Sequence, residues 1–166
     1  MRSLQDDMLE FKQQLQKGSI QKAYQGIMAF MMGLKNNLAA NYPDYAAPGG
    51  LYFGYMDMTY FSILPKALKD RELKIAIVFV YDSFRFEVWL SGKNKQVLAK
   101  YWQLFRQNQW DKYNLNEPGK GIDFIVTHVL EADPDFDDLD ALTRHIEQGT
   151  MGFIRDIEGF LLKLEV

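Results

Sequence analysis

The chain has 166 residues, 48% of them hydrophobic, with 12 Phe, 9 Tyr and 3 Trp, enough apolar side chain to fill one domain core and to exclude intrinsic disorder. Its 19 basic and 22 acidic residues leave a formal charge of −3, which gives no global attraction to nucleic acid or to an anionic membrane. The absence of cysteine excludes disulfides, thiol nucleophiles and thiolate metal sites.

Ser3, with Asp6 three residues on, has the form of a capping box, and Leu4, Met8, Phe11 and Leu15 keep a helical spacing up to Gly18. A second helix is predicted after Ser19, whose short polar side chain can accept an orphan amide hydrogen of the first turn. Ile20, Ala23, Tyr24, Ile27, Met31, Leu34 and Leu38 form its apolar stripe. Tyr42-Pro43 ends it, because the residue before proline is driven out of the α region. After a Pro48-Gly49-Gly50 turn, a first strand is placed within Leu51–Phe61. Ile75–Tyr81 is a run of β-branched and aromatic residues suited to burial on both faces. Phe84, Phe86, Val88 and Leu90 alternate with Arg85, Glu87, Trp89 and Ser91, the period of a strand with one apolar face. Asp82-Ser83 between the two runs predicts a hairpin.

A third helix is expected from about Ser91-Gly92, with Val97, Leu98, Tyr101, Trp102 and Phe105 as its buried stripe. Trp110–Leu115 is a candidate fourth strand. Ile122–Leu130 carries both signals, β-branched content for a strand and a helical spacing of its apolar residues, and the helix is preferred. The last helix is expected from about Asp138 to Leu162, with a bend at Gly149. The order predicts a single α/β domain over residues 1–166, a mixed central sheet flanked by helices. No apolar run approaches bilayer length, and the N-terminal run lacks the apolar core of a signal peptide, so a cytoplasmic protein off the membrane is expected.

Several groups of residues are candidates for chemistry. Asp133, Asp135, Asp137, Asp138 and Asp140 fail the calcium-loop pattern, which needs Gly at its sixth position and Glu at its twelfth, where Asp138 and Arg144 stand. They fit helix capping instead, by Asp137 or Asp138. His128 and His145 lack zinc-site spacing, and no Gly-x-Ser-x-Gly elbow accompanies them. If Tyr55, Asp57 and Thr59 share a sheet face with Arg85, Glu87 and Trp89, the six form a polar-aromatic patch for a small ligand, a base or a partner's side chain. The exposed aromatics also suit a homodimer interface. A lysine-rich strip from Lys66 to Lys100 leaves nucleic acid open as a partner, without a recognition-helix signature.

The element order and the Asp57…Glu87 pair resemble the core of the restriction-endonuclease-like nucleases, the PD-(D/E)xK group. That resemblance implies a helix-strand-strand-strand-helix-strand core in which two acids hold Mg²⁺ or Mn²⁺ beside a phosphodiester and a lysine positions the attacking water. On this sequence Asp57 is the first acid and Glu87 the second. The lysine position falls on Trp89, so Lys74 or Lys93 would have to replace it, and Met56 stands where the family has proline. Without that chemistry no cofactor is expected. Separately, Gly54–Phe61, Lys74–Phe79, Arg85–Leu90 and Asp133–Asp140 resemble an uncharacterised family of small bacterial proteins, largely from Firmicutes. That resemblance implies a bacterial, intracellular single domain and brings no activity, so a non-catalytic binding or regulatory module is the leading expectation and the metal-dependent phosphodiesterase its alternative.

Overall fold

A computed structural model describes residues 1–164. Two helices open the chain, α1 (Leu4–Lys17) and α2 (Ser19–Asn41). They are followed by strand β1 (Met58–Ile63), a short helix α3 (Lys66–Lys69), and strands β2 (Leu73–Val80) and β3 (Arg85–Gly92). Helix α4 (Lys95–Gln107), strands β4 (Asn114–Leu115) and β5 (Phe124–Glu131), and helix α5 (Leu139–Leu164) complete it. The strands form one sheet in the order β1-β2-β3-β5-β4. Every pairing is antiparallel, so the expected mixed sheet is an antiparallel one. No helix among the described residues is long and apolar enough to cross a membrane.

The local signals explain most of the helix ends. Ser3 and Asp6 form the reciprocal capping box, while Asn94 Oδ1 accepts from the Val97 amide to start α4. Asp138 Oδ1 accepts from the Ala141 amide, so of the two candidates it is Asp138 that caps α5. Helix α4 begins three residues after the expected Ser91-Gly92, because those two residues complete the β3 ladder opposite Lys74 and Leu73. Helix α5 is continuous through Gly149, which serves a close approach: a Cβ there would stand 2.8 Å from Leu130 Cδ2 on β5.

Register divides the sheet cleanly into two faces. One carries Phe61 and Ile63 of β1, Ile75, Ile77 and Phe79 of β2, and Phe86, Val88 and Leu90 of β3, all buried. Helices α2 and α5 pack on it, with Phe30 of α2 edge-on to Phe86 at 5.4 Å and Leu130 under Gly149. Phe105 of α4 stacks on Phe160 of α5 at 4.8 Å, tying α4 to the same core. The acidic segment before α5 is anchored there too. Phe136 projects from it into a cluster with Phe30, Phe79, Phe84 and Phe86.

Two further expectations are overturned. Residues 122–130 are not a short helix: Phe124–Glu131 is strand β5, because it pairs on both sides, with β3 and with β4, and cross-strand pairing outweighs a helical spacing that the apolar residues also happen to satisfy. The first strand also does not lie within Leu51–Phe61: β1 is shifted along the chain to Met58–Ile63 and runs past Phe61. The backbone turns at Gly54 (φ 75°) and Met56 (φ 60°), and β1 begins only at Met58. Tyr52 and Ala46 pair instead as isolated bridges with Tyr60 and Leu64, so the segment before β1 runs along its outer side and covers the sheet edge.

Candidate functional site

The second sheet face is where the sequence-derived site residues must be sought. Its rows run across β1, β2 and β3 as Met58–Val80–Arg85, Tyr60–Val78–Glu87 and Ser62–Ala76–Trp89, ending with Lys74–Ser91. Strand β5 extends three of them, with Val129 opposite Glu87, Thr127 opposite Trp89 and Phe124 opposite Ser91. Thus Arg85, Glu87, Trp89 and Lys74 do share a face.

Asp57, Tyr55 and Thr59 do not join them. Thr59 pairs with Phe79 on the helix-covered face and is fully buried, its hydroxyl bonded to the Phe53 carbonyl at 2.7 Å and the Tyr81 hydroxyl at 2.8 Å. Tyr55 is 91% exposed in the turn before β1. Asp57 belongs to that turn: its Oδ1 accepts from the Tyr55 amide at 2.8 Å, and its own carbonyl accepts from Tyr81. The backbone amides of Tyr55 and Met58 hold its carboxyl below the usual range, which is the behaviour of a turn-closing acceptor.

The Asp57–Glu87 pair is therefore not a shared site. Asp57 lies level with Tyr81 while Glu87 lies level with Tyr60, two strands apart and three residues along, a separation of about 10 Å in each direction. Among the described residues no cluster of three or more His, Asp or Glu could hold a metal ion. Glu87 has other work. Its side chain is only 12% exposed; Oε2 accepts from Arg85 Nε at 3.0 Å and Oε1 from Trp89 Nε1 at 3.0 Å. That clamp fixes the plane of the Trp89 indole, which packs on Phe124 at 4.3 Å.

Beside this indole lies a pocket of about 370 Å³. Tyr60, Ala76, Trp89 and Phe124 supply its apolar and aromatic surface, Ser62 and Ser91 its hydroxyls, and Lys74, Lys93 and Lys95, against the single carboxylate of Asp123, its charge. The start of α4 and the Gly121–Asp123 loop close its ends. The Ser91 hydroxyl donates to the Asp123 carbonyl at 2.5 Å, tying that loop to the floor. Lys93 is bonded to Glu72 at 2.9 Å, which raises its pKa. Lys74, half-buried, comes from the interior strand β2 and Lys95 from the first turn of α4.

One family model matches residues 4–161, that of a domain of unknown function, DUF7000. The chain belongs to the DUF7000 family. No curated protein and no solved structure matches it. The pocket of the DUF7000 domain is built from residues that the sequence reading divided or passed over. Lys74, Lys93 and Trp89 were candidates, and Tyr60 belonged to the aromatic run weighed as a binding surface; Ser62, Ser91 and Phe124 were not assigned to the site. The alternation at Met58, Tyr60 and Ser62 carried the signal, but only a fixed β1–β2 register places it beside Trp89.

The two histidines of the DUF7000 domain are likewise apart. His145 bonds the Leu130 carbonyl at 3.0 Å. His128 lies under Tyr113 at 4.5 Å, whose hydroxyl donates to Asp156 at 2.5 Å. Burial, the Asp156 hydrogen bond and its charge push the Tyr113 phenol up to about 12. For His128 burial lowers the pKa against the opposing pull of Asp156, so the fold favours the neutral imidazole. An imidazole with a lowered native pKa contributes stability above its unfolded value near 6.5 and loses it as pH falls through the native value. Thermal melts should therefore show the melting temperature declining as pH is lowered from 7 towards 5. In His128→Gln this part of the decline should be absent; an identical slope in the variant assigns the decline to other groups.

Proposed function

We propose that this domain is a non-catalytic binding module whose open sheet face takes a small planar anion. The observation that carries the proposal is the pairing, within one 370 Å³ pocket, of an indole locked in place by Glu87 and a rim of three lysines. Its volume falls in the range of small-molecule sites, and it has their composition, an apolar floor with a few convergent polar groups. A flat ring system stacks on Trp89 and Phe124, and a phosphate or carboxylate reaches Lys74 and Lys95 at the positive end of α4. Nucleoside monophosphates and aromatic carboxylates both meet this description. A metal-dependent phosphodiesterase at Asp57 and Glu87 is not carried forward, since two carboxylates so placed do not share an ion. We take the setting to be the bacterial cytoplasm, a reading supported by the family resemblance of the strand motifs.

The test is titration of the protein with a panel of those two ligand classes, followed by tryptophan emission and calorimetry. At least one member should bind and perturb the emission. Stacking on an aromatic side chain contributes about 1–3 kcal/mol, so Trp89→Ala should weaken that ligand by roughly 5- to 160-fold. Lys74→Ala should weaken it less and flatten its salt dependence. Absence of binding across the panel at millimolar concentration, or binding indifferent to Trp89→Ala, would sink the assignment.

A further inference from the structure

We propose that α1 is a dimerisation arm, pairing in parallel with α1 of a second copy of this chain. No residue of this helix is buried, and its substantial packing is with α2 alone. Yet Leu4, Met8, Phe11 and Leu15 recur at intervals of four, three and four, the a/d spacing of a coiled-coil seam. Leu4 is 77% exposed, Met8 53% and Phe11 45%. The arm is also preformed, held by the Ser3–Asp6 capping box at one end and the left-handed Gly18 cap at the other, so pairing does not have to order it. It is part of the domain, because the family match begins at residue 4, the first residue of the helix.

Charge selects the occupant and its direction. With Met8 and Leu15 as the a positions, Asp7 flanks the seam on one side and Lys12 on the other. In a parallel pair, Asp7 of each copy, whose Oδ1 accepts from the exposed Arg2 of its own chain at 3.0 Å, also meets Lys12 of the other, adding two ion pairs by symmetry. An antiparallel pair sets Asp7 against Gln14 and Lys12 against Gln5 and forgoes both. A membrane surface is a poor alternative, since Arg2, Lys12 and Lys17 are balanced by Asp6, Asp7 and Glu10, whereas surface-seeking helices carry a basic polar face. A two-heptad seam is short, so association is expected with a dissociation constant roughly in the micromolar range.

Sedimentation equilibrium over about 1 to 200 µM decides the matter. The wild type should shift from 19.4 kDa to twice that mass, and Met8→Glu/Phe11→Glu should stay at 19.4 kDa with an unchanged thermal melt, since neither side chain is buried. Because the chain has no cysteine, Met8→Cys gives a single reporter thiol at a position that meets its own copy in a parallel pair. Mild oxidation should then cross-link the dimer. A wild type that remains monomeric, a dimer that survives Met8→Glu/Phe11→Glu, or a dimer in which Met8→Cys fails to cross-link would each overturn the proposal.

Discussion

Phe79→Ala should cost about 3–5 kcal/mol of folding stability, the range of a fully buried aromatic truncated in a packed core. Phe79 sits on the interior strand β2 with no exposed surface. Its ring contacts Tyr81, Phe84 and Phe86, each with centroids 5.0 Å away, and Phe136 at 6.4 Å. Removing it deletes the ring common to the β2–β3 hairpin and the segment leading to α5, and the cavity left is lined by other rigid rings that collapse poorly. Against a total of roughly 5–15 kcal/mol for a domain, such a loss leaves a marginal fold. Urea denaturation checks it, with Phe79→Leu expected to lose about 1–2 kcal/mol because it retains most of the volume. Phe53→Ala is the control: that ring is 55% exposed, and the change should fall within about 0.5 kcal/mol. A Phe79→Ala loss below 1 kcal/mol would mean that the aromatic cluster is not a cooperative part of the core.

Elements whose signal is local were legible in the sequence. The capping box at Ser3, the stop at Tyr42-Pro43 and the alternation of Phe84–Ser91 each rest on a few neighbouring residues, and each reappears in the structure. The hairpin was legible as well, although its loop holds four residues, Tyr81 to Phe84, rather than two. Strand β5 was not, because what makes Phe124–Glu131 a strand is chiefly its ladder with β3, which lies far earlier in sequence, beyond α4 and β4. The site suffered from the same limit. Side-chain type identified Trp89, Lys74 and Lys93, but face is a property of register, and a shift of one residue reverses it. Thr59 and Tyr60 are adjacent, yet one is buried against Phe79 and the other lines the pocket. The clamp on Glu87 was half visible, since residues two apart on a strand share a face. Its consequence, an indole fixed in orientation rather than a free carboxylate, required the distances.

The turn that starts β1 is the other place where a small change should have a large effect. Gly54→Ala should destabilise the fold by about 3 kcal/mol. Gly54 has φ 75°, a conformation that strains any residue with a Cβ, and the Cβ added there would stand 2.0 Å from the Met58 carbonyl oxygen and 2.7 Å from Asp57 Oδ1. The first of these neighbours is backbone and the second is held by the Tyr55 amide, so neither yields cheaply. Relief requires the turn to open, which releases the Asp57–Tyr55 bond and lifts the first residues of β1 from Tyr81 and Val80. Because Met58 and Tyr60 reach the pocket from those residues, the same substitution should loosen the pocket wall on the β1 side while leaving the Glu87–Trp89 clamp on β3 intact. Gly50→Ala is the matched control, with no positive φ and nothing within 4 Å of its added Cβ, and should change stability by less than about 0.5 kcal/mol. Urea unfolding of the two variants supplies the comparison, and hydrogen exchange at the amides of Tyr60 and Trp89 locates the damage. Equal losses in Gly54→Ala and Gly50→Ala would show that the segment before β1 is only a tether; loss confined to Gly54→Ala, with exchange rising at Tyr60 and not at Trp89, makes the Gly54–Asp57 turn the element that seats β1 on the sheet.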